Sequence, residues 1–151
     1  MTETKTKGTS VTLSHHAEAP IERVFRAFTD ASELKRWFGP GDMLVNSAEM
    51  DARVGGAYRI EMHSPEGEIY TVKGVIQELS EPDTIVYTWS WEEEDGAEEH
   101  ESLVSIKLSS AEGGTDIELV HTQLASDESA QRHSEGWVST FNELDRYLQA
   151  A

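Results

Sequence analysis

The stretch RVFRAFTDASELKRWFGP, residues 23–40, carries four aromatic residues on a helical pattern and ends abruptly. Its apolar side chains recur at three and four positions, which predicts helix. Asp30 with Glu33 three residues later predicts a capping box that opens a second short helix. Gly39-Pro40 ends that helix, because proline cannot continue a helix and glycine tolerates the C-cap conformation. The stretch therefore predicts two short helices whose apolar faces are rich in aromatic side chains.

Outside this stretch the apolar residues recur at every second position, which is the spacing of a β-strand. Residues 9–16 predict one strand before the helices, and residues 42–123 predict six short strands with tight turns after them. Consecutive strands joined by tight turns favour an antiparallel sheet. Gly74 lies inside one of these strands, which suggests a bulge or a bend.

The last segment returns to a helical period. Ser126 or Asp127 can cap the helix. Its apolar face is formed by side chains three and four positions apart, namely Ala130, His133, Trp137, Phe141, Leu144 and Leu148. This pattern predicts a helix of about 20 residues, roughly 30 Å long. The order is strand, two short helices, six strands and a long helix, which predicts an α+β arrangement with helices on one face of the sheet.

Length and composition limit the classes of protein. The chain has 151 residues and no cysteine, which predicts one domain over residues 9–151, a disordered segment over residues 1–8, and no disulfide or thiolate metal site. No apolar stretch resembles a signal peptide or reaches the roughly 18 residues of a membrane span, so we expect a cytoplasmic protein without a membrane partner. We expect a monomer or a weak homodimer.

The charge is strongly acidic. The formal net charge is -17, from 29 acids and 12 bases, which argues against a nucleic-acid partner because phosphate binding requires clustered bases. Two explanations remain open: a solvated surface suited to a salty cytoplasm, or a functional acidic patch. The acids are spread over the whole chain, which favours the first.

Six short motifs, in order, resemble one known family. They are residues 19–25 with the ArgTrpPheGlyPro of 36–40, AspAlaArgValGlyGly of 51–56, ThrTrpSerTrp of 88–91, LeuValHis of 119–121 and HisSerGluGlyTrp of 133–137. Together they resemble the START-like superfamily and, within it, the AHSA1-type family named after the activator of the Hsp-90 ATPase. The resemblance covers roughly residues 10 to 149. Phe38 stands where many relatives have a second tryptophan, and Val54 where they often have proline.

This resemblance implies a helix-grip (START-like, Bet v 1-like) fold. A curved antiparallel sheet of about seven strands would wrap the long C-terminal helix, in the order β-α-α-β6-α, with a cavity between sheet and helix. The two short helices would plug one end of the cavity. Curvature requires glycines and bulges, which we place at Gly55, Gly56 and Gly74.

The candidate ligand-binding residues combine the inward side of the strands with the helices that face it. They are Trp37, Phe38, Tyr58, Ile60, Met62, Tyr70, Tyr87, Trp89, His121, His133, Trp137 and Phe141. This set is mostly apolar with a few polar tips, as in small-molecule pockets. The same residues are equally able to pack as a solid core, and composition does not separate these cases.

Two histidines and one glycine have both a functional and a structural interpretation. His121 points inward, as a polar handle for a ligand, a general base, or a core residue with its hydrogen bonds satisfied. His133 lies one turn before Trp137, at the cavity mouth or as a hydrogen-bonded surface residue. Gly136 costs about 1 kcal/mol relative to alanine inside a helix, so we expect a close approach of the sheet or a ligand to explain it.

Other kinds of site find little support. His15 and His16 face opposite sides of a strand and cannot share one metal. The acidic segment 92–101 lacks the spaced ligands of a calcium loop. No P-loop, GxGxxG or GxSxG motif is present. We therefore expect no cofactor, no metal and no catalytic residue.

Three functions remain as hypotheses. The first is binding of a small hydrophobic molecule in the cavity. The second is an interaction with a chaperone whose ATPase it stimulates in a stress response, as the family's name implies. The third is a START-like enzyme, such as a cyclase or dehydratase, that uses His121 or His133 as its base.

Overall fold

A computed structural model describes residues 2–92 and 100–150 of the chain. These residues form eight strands and three helices, whose bounds are β1 (Thr2–Lys7), β2 (Ser10–Ala17), α1 (Ile21–Thr29), α2 (Ala31–Trp37), β3 (Leu44–Met50), β4 (Ala57–His63), β5 (Ile69–Ser80), β6 (Thr84–Trp91), β7 (Ser102–Ala111), β8 (Gly114–Thr122) and α3 (Asp127–Ala150). Most of the predicted acidic loop, residues 93–99, lies outside the described residues.

The strands form one curved antiparallel sheet in the order β1-β2-β8-β7-β6-β5-β4-β3. Side chains of α3 pack against the sheet, with the Trp137 ring centroid 5.0 Å from that of Trp89 on β6. The arrangement confirms the predicted α+β helix-grip fold. The sheet has eight strands among the described residues, where the sequence predicted about seven.

The additional strand is β1, so the prediction of disorder over residues 1–8 is wrong for residues 2–7. This strand pairs with β2 from Thr2 opposite His15 to Lys7 opposite Ser10. Gly8, with φ of 58°, turns the chain between the two strands. The strand alternates threonine with charged residues and has no apolar face to reveal it. Backbone pairing at a sheet edge does not require such a face, and charged side chains are common on edge strands.

Gly74 lies in β5, where that strand passes very close to β6 and the sequence predicts a bulge or a bend. A Cβ atom placed on Gly74 would lie 2.0 Å from the carbonyl oxygen of Thr88 on β6, so only glycine fits there. The Tyr58 hydroxyl donates a 2.6 Å hydrogen bond to that same oxygen. Shortly after, the register of β5 shifts against β6 between Ile76 and Glu78. A glycine next to a bulge is the usual way to bend a sheet.

Helices α1 and α2 meet at a closed aromatic corner. The Trp37 indole N–H donates a 2.9 Å hydrogen bond to the carbonyl of Ala27, and the ring lies edge-on to Phe28 with centroids 5.2 Å apart. Trp37, Phe28 and Phe25 are at most 5% exposed. Burial of these aromatic rings holds the two short helices against the rest of the core.

Only half of the predicted capping box at the start of α2 is formed. The Asp30 carboxylate accepts the backbone N–H of Ser32 at 2.9 Å, as an N-cap should. The N–H of Asp30 donates to the Arg26 carbonyl at 2.9 Å, which is the last bond of α1. Glu33 is therefore not required there, because α1 runs directly into α2 and already uses that donor.

Glu33 instead ties all three helices together. Its carboxylate pairs with Arg23, accepts a 2.6 Å bond from Arg26 Nε, and accepts a 2.9 Å bond from the Tyr147 hydroxyl of α3. Burial opposes ionisation of this group, but the hydrogen bonds from Tyr147, Arg26 and Arg23 outweigh it and lower the pKa of Glu33. Arg23 also lies over the Tyr147 ring, 5.1 Å from its centroid.

Helix α3 begins at the predicted cap and buries the predicted face. The Ser126 hydroxyl accepts the backbone N–H of Ser129 at 3.0 Å. Ala130, Trp137, Phe141 and Leu144 are at most 3% exposed. These side chains recur at the helical period, which is why this element could be identified from the sequence.

Candidate functional site

A groove of about 480 Å³ lies between the first half of α3 and strands β4 to β6. Its lining is mostly apolar and is formed by Phe38, Pro40, Met62, Ile69, Tyr70, Thr71, Trp89, Trp91, Glu92, Arg132, His133, Gly136, Trp137 and Thr140. Ile69 and Tyr70 are 63% and 39% exposed, so they form its outer rim, whereas Met62 and Trp89 are buried at its base. A volume of this size suits a small molecule.

The structure divides the twelve predicted ligand-binding residues into two equal sets. Six line the groove: Phe38, Met62, Tyr70, Trp89, His133 and Trp137. The other six lie in the packed core beside it and are at most 4% exposed: Trp37, Tyr58, Ile60, Tyr87, His121 and Phe141. The alternation of side chains along the strands predicts that a residue faces the inside of the sheet. It does not predict whether that residue meets packed side chains or the open groove, so both sets were identified equally.

Aromatic rings fill much of the space between the sheet and α3. Tyr58 and Tyr87 have ring centroids 4.9 Å apart, and Tyr87 stacks on Trp89 at 6.5 Å. Trp137 contacts Trp89 from above and Phe141 at 6.2 Å along the helix. The groove therefore begins where this aromatic core ends, at the open side formed by β4 to β6.

Several lining residues were not among the candidates. Trp91 follows Trp89 at the same strand parity, so the sequence contained the signal for it. Pro40, Ile69, Thr71, Glu92, Arg132 and Thr140 enter the lining only because of where α3 crosses the sheet. That crossing depends on long-range packing, which no local sequence pattern encodes.

His121 is the centre of a closed hydrogen-bond chain. Trp137 Nε1–H, which can only donate, donates to His121 Nδ1 at 3.1 Å. The remaining proton of the neutral ring must then lie on Nε2, which donates to Ser102 Oγ at 2.7 Å. Ser102 in turn donates to the Trp89 carbonyl at 3.1 Å. Burial, with the electrostatic interaction with nearby His133 as a second cause, lowers the pKa of His121 to about 3.

His133 at the edge of the groove has both ring nitrogens engaged. Its Nδ1 lies 2.8 Å from the Ser129 carbonyl, which can only accept, so this nitrogen carries the proton. Its Nε2 accepts the Trp91 indole N–H at 3.0 Å. His133 lies next to His121, with ring centroids 5.0 Å apart. The two histidines act as structural hydrogen-bonding groups that fix two tryptophans of the groove wall.

The indole N–H of Trp89 differs from those of the other three tryptophans. Trp37, Trp91 and Trp137 donate to Ala27, His133 and His121. Trp89 Nε1 is buried and has no acceptor among the described residues. Leaving a buried donor unsatisfied costs about 1–3 kcal/mol. Trp89 also lines the groove, so the unsatisfied donor belongs to a side chain that a ligand there would contact.

Charges at the rim are balanced. Glu92 accepts two 3.2 Å hydrogen bonds from Arg59, and the Lys73 ammonium lies 4.0 Å away. These hydrogen bonds from Arg59 are the main reason that the pKa of Glu92 is lowered. Arg132 pairs with Glu128 one turn earlier at 3.6 Å. Among residues 2–92 and 100–150, the charged side chains at this rim are thus paired with opposite charges.

Within residues 2–92 and 100–150, no group of three His, Cys, Asp or Glu side chains is placed to hold one metal ion. Among the same residues, no helix combines the length and the apolar character needed to cross a bilayer.

The curved sheet, the long helix that it grips and the groove between them define a START-like protein of the helix-grip class. The chain belongs to the family described as "Activator of Hsp90 ATPase homolog 1-like protein", whose sequence pattern matches residues 18–149. Among curated proteins no relative matches the chain.

Solved structures of bacterial proteins share this fold along almost the whole chain. The AHSA1 protein of Silicibacter pomeroyi is 28% identical with a TM-score of 0.86, over 93% of this chain and 98% of that one. A protein of Mycobacterium smegmatis is 25% identical with a TM-score of 0.84, over 99% and 97% of the two chains. A protein of Chromobacterium violaceum is 27% identical with a TM-score of 0.82, over 91% and 96%.

Proposed function

We propose that this protein binds a small hydrophobic molecule in the groove between α3 and strands β4 to β6. The observation that carries the proposal is the combination of an apolar, tryptophan-rich wall with the buried, unsatisfied N–H of Trp89. A ligand that brings a hydrogen-bond acceptor to this N–H removes the cost of leaving it unsatisfied. The preferred ligand is therefore an apolar compound with at least one carbonyl, ether or hydroxyl oxygen.

The expected affinity is weak. Burial of about 300 Å² of apolar ligand surface gains about 7 kcal/mol at roughly 25 cal/mol/Å². Association costs at least about 4 kcal/mol of that. An additional hydrogen bond contributes about 1 kcal/mol. The remaining free energy is at most about 4 kcal/mol, which corresponds to a Kd of about 1 mM, so the measurements require a high ligand concentration.

The test is a direct binding measurement with defined compounds. N-phenyl-1-naphthylamine reports an apolar site by its own emission, and the flavonoid naringenin supplies a carbonyl acceptor. We expect saturable binding of both and a rise in melting temperature with naringenin. Absence of saturable binding and of any thermal shift, with these compounds and with a panel of lipids and polyketides, would contradict the proposal.

Trp89→Phe and Trp37→Phe form a matched pair for the role of the indole N–H. Both remove an indole, but only Trp89 lines the groove. We expect Trp89→Phe to weaken naringenin binding about fivefold, the equivalent of about 1 kcal/mol, and Trp37→Phe to leave it unchanged. Equal effects of the two substitutions would show that the N–H of Trp89 is not used.

The other two hypotheses have narrower support. Stimulation of a chaperone ATPase draws on the family's description alone, and unchanged ATPase turnover of the host chaperone would remove it. An enzymatic role for His121 is disfavoured, because both ring nitrogens are engaged and its pKa of about 3 leaves it a weak base. The cytoplasmic location remains a prediction.

A further inference from the structure

Gly136 has no structural requirement that would explain a glycine in the middle of α3. A left-handed backbone is one common reason for glycine, but Gly136 is not among the positive-φ residues of the described chain. A close approach is the other, yet a Cβ built on Gly136 meets no atom of the described residues within 4 Å apart from its two chain neighbours and the nearby backbone of α3 itself. We expected a close approach of either the sheet or a ligand, and the sheet does not approach Gly136. At Gly74, in contrast, the same atom would lie 2.0 Å from a carbonyl oxygen.

The open space next to Gly136 is part of the groove. Gly136 lines it together with His133, one turn earlier, and with Trp137 and Thr140. The Thr140 hydroxyl donates to the Gly136 carbonyl at 2.8 Å. Any side chain at position 136 would extend into volume that is now vacant.

We infer that Gly136 is a specificity-determining residue that sets how bulky a ligand the groove admits. This inference rests on the proposed function. A glycine lowers the stability of a helix interior, so a glycine without a structural requirement indicates that the vacant volume is used. The ligand class that needs this volume is a multi-ring apolar compound whose bulk lies against α3 at position 136.

The experiment compares Gly136→Ala and Gly136→Leu with Glu135→Leu, an exposed neighbour on the same helix that does not line the groove. N-phenyl-1-naphthylamine is the probe. We expect Gly136→Leu to weaken its binding by about tenfold or more, because the added side chain overfills the site. Glu135→Leu should bind as tightly as the wild type.

A thermal measurement tests the other half of the inference. Gly136→Ala should raise the melting temperature by about 2–4 °C, because alanine is the better helix former and meets no obstacle. A fall in melting temperature would show that the glycine has a structural role after all and would overturn the inference.

The outcomes separate this inference from the proposed function. If the wild type fails to bind the probe, the proposed function fails and the inference fails with it. If the wild type binds and Gly136→Leu binds within about threefold of it, ligand binding stands and the role of Gly136 alone is refuted. Equal losses in Gly136→Leu and Glu135→Leu would also refute it.

Discussion

Acidification from pH 8 to pH 5 is expected to destabilise this protein through His121. The buried ring has a pKa lowered to about 3, whereas an exposed histidine in the unfolded chain has a pKa of about 6.5. Between these two values the unfolded chain binds a proton that the folded chain excludes. The contribution of neutral His121 to the free energy of unfolding is therefore fully present above pH 6.5. It is lost as the pH falls below 6.5, by about 1.4 kcal/mol per pH unit. Over the interval from pH 8 to pH 5 the loss is about 2 kcal/mol.

The assay is urea unfolding followed by circular dichroism at pH 8, 7, 6 and 5, on the wild type and on His121→Gln. Glutamine supplies one acceptor for Trp137 and one donor for Ser102, so the hydrogen-bond chain can form without a titratable ring. Glu33, whose pKa is lowered from 4.5, contributes mainly below pH 5, which sets the lower limit of the range. The variant should lose about 2 kcal/mol less stability than the wild type over this range.

His16→Gln is the matched control, because His16 lies at the surface beside Asp116 rather than in the core. It measures what removal of a histidine changes by itself. The reasoning is refuted if the wild type and His121→Gln lose the same stability between pH 8 and pH 5. That result would mean that the folded protein accepts a proton at His121 as readily as the unfolded chain does.

Three further substitutions test the packing around the site. Glu33→Gln removes the charge that joins the three helices and should lower the free energy of unfolding by about 1–3 kcal/mol in urea titrations, and an unchanged value would argue that the cluster is fully solvated. Gly74→Ala should cost about 3 kcal/mol, because its Cβ would lie 2.0 Å from the carbonyl oxygen of Thr88; a neutral effect in thermal unfolding would contradict this close approach of β5 and β6. Ser102→Ala removes the acceptor of His121 Nε2–H and should cost about 1–3 kcal/mol at pH 8, whereas a stabilised variant would mean that His121 finds another partner.

The elements with an apolar period could be predicted from the sequence, and the elements without one could not. Helix α3 carries apolar side chains three and four positions apart, and strands β4, β7 and β8 alternate between buried and more exposed residues, so their faces follow from spacing alone. Strand β1 has no apolar residue and is held by backbone pairing with β2, which leaves no pattern to detect.

For the strands, the sequence predicted which side chains face inward, but not which of these line the groove. Parity places Trp89 and Tyr87 on the same inner face, yet one lines the groove and the other is enclosed by the core. The difference arises from the path of α3 across the sheet, which positions Trp137 over Trp89 and leaves Gly136 next to open space. Glu33 shows the same limit. The local sequence predicts that it caps α2, but in the structure its carboxylate accepts a hydrogen bond from Tyr147, which is distant in the sequence.

The placement of the four tryptophans gives the protein an unlabelled optical reporter. Trp89, Trp91 and Trp137 line the groove, while Trp37 is enclosed in the corner between α1 and α2. A molecule that enters the groove changes the surroundings of three indoles and leaves the fourth as an internal reference. Quenching of the native ultraviolet emission would then follow the arrival of a ligand in real time, without a dye or a tag.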